Sequence, residues 1–134
     1  PAPHAKLRLL LVEDDPHVGR ALLRLFATRG HRAALVANCA LAAQQNGPFD
    51  CAVIDLNLPD GSGVDVADDL TSRGAARAVV FHTGATDPAL LARARSRGTV
   101  VRKGEGLRDL EAAIRHAASR GAVTKTGRRN PTDE

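Results

Sequence analysis

Apolar residues gather in short runs along this chain, and each run stops at a charged or polar residue. Leu7–Val12 (LRLLLV) is interrupted only by Arg8, and Glu13, Asp14 and Asp15 follow it at once. A short, unbroken apolar run predicts a strand covered on both faces, as in a parallel sheet. Beyond it, Val18, Ala21, Leu22, Leu25 and Phe26 recur on one helical face. Asp15 is placed to cap that helix, Pro16 takes its first position, and Gly30 stops it. His31–Ala37 predicts a weaker strand. Asn38 is a cap for a short helix to about Gln45, and Gly47-Pro48 breaks the chain.

The same unit then recurs. Cys51–Ile54 (CAVI) predicts a strand ending at Asp55, followed by the loop LNLPDGSG and a helix over Val64–Arg73 with Val66, Ala67 and Leu70 inward. Ala78–Phe81 (AVVF) predicts the next strand, ending at His82-Thr83-Gly84, and Asp87-Pro88 opens a helix that ends at Gly98. Thr99–Arg102 is a short strand ending at Lys103. Leu107, Leu110, Ile114 and Ala117 stripe a last helix that Gly121 closes. Five strands alternating with five helices predict an α/β fold: a five-stranded parallel sheet, doubly wound as (βα)5, in a three-layer sandwich with right-handed crossovers. The expected organisation is a tail or linker over 1–6, one domain over 7–120, and a polar tail or linker over 121–134.

The chain of 134 residues suits one domain with a core of its own. Phe26, Phe49 and Phe81 are its only aromatics, so Ala, Val, Leu and Ile must build that core. No apolar run is long enough to span a bilayer, so no membrane association is expected. The opening PAPHAKLR lacks the apolar stretch of a signal peptide, and cytoplasm is the expected compartment. A first residue other than Met suggests a processed chain or an excised piece. Cys39 and Cys51 have neither a disulfide framework nor metal spacing and read as small apolar fillers. A net charge of +4 permits an acidic partner. No aromatics interleave with the basic residues, so direct nucleic-acid binding by this domain is not expected. Arg93, Arg95, Arg97 and Arg102 make a basic face that either receives an acidic partner or is simply solvated. Lys125, Arg128 and Arg129 read as part of a solvated linker.

In doubly wound sheets the working groups sit at the carboxyl ends of the strands. Those ends carry Glu13, Asp14 and Asp15, then Asp55, then Thr83, then Lys103. Converging carboxylates repel one another, and a hard divalent cation relieves the repulsion; Mg²⁺ favours such oxygen ligands. A lysine adds a second positive charge, and a threonine hydroxyl can hydrogen-bond an oxyanion. Carboxylate nucleophile, metal, lysine and hydroxyl together suit phosphoryl transfer. The plainer readings are a solvated strand end for Asp55 and helix capping for the acid cluster, a role that Asp15 fills in any case. His17 and His82 read as structural or exposed, since no second ligand keeps metal spacing with them.

LLLVEDD, AVIDLNLPDGSG, VVFHTG and VVRKG occur in that order, each at a strand end. In this the chain resembles the receiver domain of bacterial two-component response regulators, from about Leu7 to Arg120. The resemblance implies a CheY-like, flavodoxin-like fold and a signalling phosphoprotein, not an enzyme acting on other molecules. It implies that Asp55 accepts a phosphoryl group from the histidine of a sensor histidine kinase or a histidine phosphotransfer protein. Asp14 would ligate Mg²⁺ directly, Glu13 through water, and Asn57 through its backbone carbonyl. Thr83 would swing to hydrogen-bond the aspartyl phosphate and Lys103 would pair with it, while Pro59 and Gly63 shape the loop behind the acceptor. Slow hydrolysis would reset the switch toward an output partner that the residues do not name.

Three departures from the family pattern fall near the last strand. Val100 stands where an aromatic is usual, so the common coupling of threonine and ring cannot operate. The stretch from Gly98 to Lys103 is short, which implies an abrupt last strand or a displaced fourth helix. Gly104 follows the lysine where many members have proline. Two further readings stay open beside the phosphorylation switch. One is a degenerate receiver that binds a partner regardless of phosphate. The other is an aspartyl phosphatase, which would need an Asp at position 57, where Asn stands. The absence of G-x-G-x-x-G after the first strand excludes a dinucleotide-binding domain. Dimerisation through the fourth and fifth helices has no support in the sequence.

Overall fold

In the computed structural model, which describes residues 5–127, each strand's alternating side chains feed two separate cores. The strands are β1 (Arg8–Val12), β2 (Arg32–Val36), β3 (Cys51–Ile54), β4 (Asn57–Leu58), β5 (Gly61–Ser62), β6 (Val79–Thr83) and β7 (Thr99–Arg102). The helices are α1 (Pro16–Thr28), α2 (Cys39–Ala43), α3 (Gly63–Ser72), α4 (Pro88–Arg95) and α5 (Leu107–Gly127). Five strands form one parallel sheet in the order β2-β1-β3-β6-β7, which is the doubly wound topology. Leu9, Leu11, Val53, Val80 and Val101 project to one face and pack against Leu22 and Phe26 of α1 and Leu110 and Ile114 of α5. Leu10, Val12, Ile54, Val79 and Phe81 project to the other, against Val64, Ala67 and Leu70 of α3 and Leu91 and Ala94 of α4. Burial on both faces explains why these strands read as continuous apolar runs.

Helix starts follow the capping residues. Asp15 Oδ1 accepts the His17 N–H at 2.9 Å, Asn38 Oδ1 that of Leu41 at 2.8 Å, and Asp87 Oδ1 that of Ala89 at 3.1 Å. Three expectations need correction. The loop LNLPDGSG folds partly as an antiparallel ribbon, β4 against β5, with Pro59 and Asp60 at its turn. Two-residue strands are too short to show any period. Helix α4 stops at Arg95, and β7 begins directly after Gly98. A Cβ at Gly98 would lie 2.5 Å from the Val79 carbonyl oxygen, so the chain passes hard against β6 with room for glycine only. The short stretch to Lys103 is thus met by an abrupt strand. Helix α5 runs through Gly121 to Gly127. An interior glycine costs a helix about 1 kcal/mol, which a helix already several turns long can bear. Arg128 and Arg129 lie outside the described residues, as does the start of the N-terminal segment.

Candidate functional site

Parallel pairing delivers the predicted residues to one end of the sheet. Glu13 donates its N–H to the Val36 carbonyl and Asp55 donates its N–H to the Val12 carbonyl, both at 3.0 Å. The ladder thus continues one residue past β1 and β3 and fixes both backbones side by side. Lys103 donates its N–H to the Thr83 carbonyl at 3.0 Å, which does the same at the far side. Glu13, Asp14 and Asp55 each present an oxygen within 4.8 Å of the others; Glu13 and Asp55 are buried and Asp14 is exposed. Lys103 Nζ reaches both buried acids, at 2.9 Å from Glu13 Oε1 and 2.9 Å from Asp55 Oδ2.

One ammonium does not balance this acid group. Burial pushes the Glu13 carboxyl above the usual glutamate range, and the bond from Lys103 only partly offsets it. Burial alone would depress Lys103, but its bonds to Glu13 and Asp55 outweigh that and hold it above the ordinary lysine value. Asp15 stands apart: its carboxylate caps α1 through the His17 and Val18 N–H groups, which hold its pKa down. The excess of carboxylate oxygens over local positive charge fits a hard divalent cation.

Behind Asp55 the chain closes tightly. A Cβ on Gly63 would lie 2.1 Å from the Asp55 carbonyl oxygen. Gly63 also donates its N–H to the Leu56 carbonyl at 2.9 Å, so the β4–β5 ribbon folds back onto its own root. The Asp60 carboxylate at the ribbon's turn accepts the N–H groups of Cys39 at 2.7 Å and Ala40 at 3.0 Å. Asn57 lies exposed on β4 beside the site. Thr83 is fully buried, and its hydroxyl accepts the Ala85 N–H at 3.0 Å.

The sequence reading missed Asp60 and Arg102. Asp60 ties the loop after Asp55 to the start of α2; the turn signature PDG announced a turn but not its partner. By sequence Arg102 belongs to a basic face, yet its guanidinium donates to the Ala85 carbonyl. That face is mostly committed: Arg93 pairs with Asp65 at 3.6 Å and Arg97 with Asp68 at 3.1 Å. Of the histidines, His17 is exposed and His82 is buried beside the site, with Nδ1 lacking a hydrogen-bond partner among the described residues. Burial, then the Lys103 charge, hold the His82 pKa below the usual histidine value. Burial raises the Cys39 thiol to about 11 and the Cys51 thiol to about 12, in keeping with inert fillers.

A cleft of about 580 Å³ lies at the other end of the sheet, between Arg77, Arg97, His116 and Arg120. Helices α3 and α4 end beside it, so its arginines offset the negative helix ends. Arg77 and Arg97 are in addition held by Asp50 and Asp68. No described helix is long and apolar enough to cross a membrane.

The chain is similar to several signalling proteins. It is 37% identical to the sensor protein TorS of Escherichia coli over 70 residues, 50% of this chain and 8% of that protein. It is 40% identical to the swarming motility regulation protein RssB of Serratia marcescens over 60 residues, 43% of this chain and 27% of that protein. The chain therefore matches less than a third of the length of these relatives. Among solved structures, the receiver domain of a sensor histidine kinase from Pseudomonas aeruginosa, with a magnesium ion coordinated in its active site cleft, superposes with a TM-score of 0.74 at 19% identity. That match covers 86% of this chain and 99% of the other. Residues 9–115 match the response regulator receiver domain, which takes in the parallel sheet from the second residue of β1 onward and every acid around Lys103; this chain belongs to that family.

Proposed function

We propose that Asp55 takes a phosphoryl group from a phosphohistidine of a sensor kinase or a histidine phosphotransfer protein, and that the domain switches a partner interaction by this change. The observation that carries it is the grouping of three carboxylates within 4.8 Å around a lysine that already touches Asp55. Glu13, Asp14 and Asp55, with the Asn57 carbonyl, would hold Mg²⁺, which supplies charge neutralisation for the transferred group. An Asp55 carboxylate oxygen attacks phosphorus in line with the donor nitrogen. The P–N bond breaks, its electron pair returns to the imidazole, and an acyl phosphate remains on Asp55. Lys103 sits where it can follow the charge from the carboxylate to the phosphoryl oxygens. Thr83 turns its hydroxyl to another of those oxygens. Attack of water on phosphorus then releases phosphate and restores the carboxylate.

Incubation with acetyl phosphate and Mg²⁺, followed by intact mass measurement, tests this. One phosphoryl adduct on wild type and none on Asp55→Asn is the expected outcome. An adduct of equal yield on the variant removes Asp55 from the role. No adduct on wild type in the presence of bound Mg²⁺ favours a phosphate-independent binding module.

A further inference from the structure

The peptide of Ala85, just past β6, is gripped from both sides. Its N–H donates to Thr83 Oγ1 at 3.0 Å, and its carbonyl accepts from the Arg102 guanidinium. Arg102 ends β7 in register with Thr83. Its backbone is itself fixed: its N–H donates to the Glu105 carboxylate at 2.9 Å, and its carbonyl accepts the Glu105 N–H at 3.0 Å. Strand alternation sends Val101 into the core beneath α5 and leaves Val100 and Arg102 on the α4 side. Val100 is short and packs on that core, so among the described residues the arginine makes the side-chain bond from β7 to the loop before α4.

We propose that Arg102 is a positioning residue for the switch. By holding the Ala85 carbonyl it keeps the Thr83 hydroxyl engaged with the Ala85 N–H. This rests on the reading of Asp55 as phosphoacceptor and of Thr83 as a partner of the phosphoryl group. Two partners compete for the Thr83 hydroxyl. If Thr83 turns toward a phosphoryl oxygen, the Ala85 N–H loses its acceptor in a buried setting. That loss is reduced if the loop moves to find another acceptor. Movement, however, also strips the Ala85 carbonyl from Arg102. The arginine therefore opposes the loop movement that a turned Thr83 requires, and it sets how far the equilibrium lies toward the resting form. Once released, its half-buried guanidinium becomes a free donor on the α4 side, so the same residue that restrains the loop changes the surface when the loop lets go.

Arg102→Met keeps the stem and removes every donor; Arg102→Lys keeps the charge and one donor. Two readouts separate the steps: amide hydrogen exchange at Ala85 in the free protein, and the affinity for beryllofluoride with Mg²⁺, a phosphoryl mimic. For Arg102→Met, faster Ala85 exchange and roughly three- to tenfold tighter beryllofluoride binding are expected, with Arg102→Lys between it and wild type. Variants of native secondary structure in which neither quantity moves overturn the proposal. If Arg102→Met does not fold, Arg102→Lys carries the comparison alone. If wild type shows no beryllofluoride binding that Asp55→Asn abolishes, the phosphoacceptor reading falls and takes the coupling with it. The Ala85 exchange then decides the restraint by itself.

Discussion

At the scale of single residues the site depends on close approach as much as on charge. Gly63 is the sharpest case. It meets the Asp55 carbonyl where a Cβ would overlap an oxygen that cannot move without shifting Asp55 itself. Gly63→Ala is expected to destabilise the fold by about 1–3 kcal/mol, read from urea unfolding, since overpacking forces backbone shifts. An unchanged midpoint would mean that the loop relaxes freely. The glycine was visible in the sequence as part of a loop signature, but the contact that demands it was not, because it joins two backbones. The same holds for Lys103. Its position at a strand end was legible; its simultaneous reach to Glu13 and Asp55 was not. Sequence pattern reports where a charged residue stands in the chain and says little about which partner it takes.

At the scale of elements, the strands and the helix starts were the most legible parts. Buried parallel strands are apolar throughout, and caps are local chemistry, so both leave marks within a few residues. The β4–β5 ribbon and the true ends of α4 and α5 left none. Two of these are set by contacts distant in sequence: Gly98 against Val79 for the turn after α4, and the ribbon against α2. The Asp60 link gives this scale its own prediction. Helix α2 is five residues long and receives N–H acceptors from both Asn38 and Asp60. Asp60→Ala is expected to cost about 1 kcal/mol of stability and to speed amide exchange at Cys39 and Ala40, leaving α5 protected. Unchanged exchange at those two amides would show that the link contributes nothing to α2.

At the scale of the whole molecule, two buried histidines tie folding to pH. His31 Nδ1 accepts the Leu7 N–H at 2.9 Å, and its Nε2 lies 3.7 Å from Glu111. Burial, then the Arg115 charge, lower its pKa, with Glu111 opposing. His82 is lowered as well, by burial and then by Lys103. Folded values below the unfolded one mean that the unfolded chain takes up protons first as pH falls. The stability that these histidines confer is therefore complete above about pH 6.5 and declines below it, by about 1.4 kcal/mol per pH unit for each group, until the lower folded values are reached. Urea midpoints measured from pH 7.5 downward check this, and His82→Leu should flatten the slope. A flat profile in wild type would show that neither histidine is held neutral. Neither coupling was legible from the sequence, where a histidine in a strand looks alike whether buried or exposed.

The division of the interior has a further consequence. Phe26 lies in the core shared with α5, and Phe81 lies in the core shared with α3 and α4. Only the sheet separates them, and its strands contribute alternate side chains to each. Substitutions on opposite faces share no neighbours, so their costs should simply add. Drift in one layer then imposes no matching change on the other. The α4 side can thus be repacked while the α1–α5 side keeps its own packing, with Asp55 at the rim common to both.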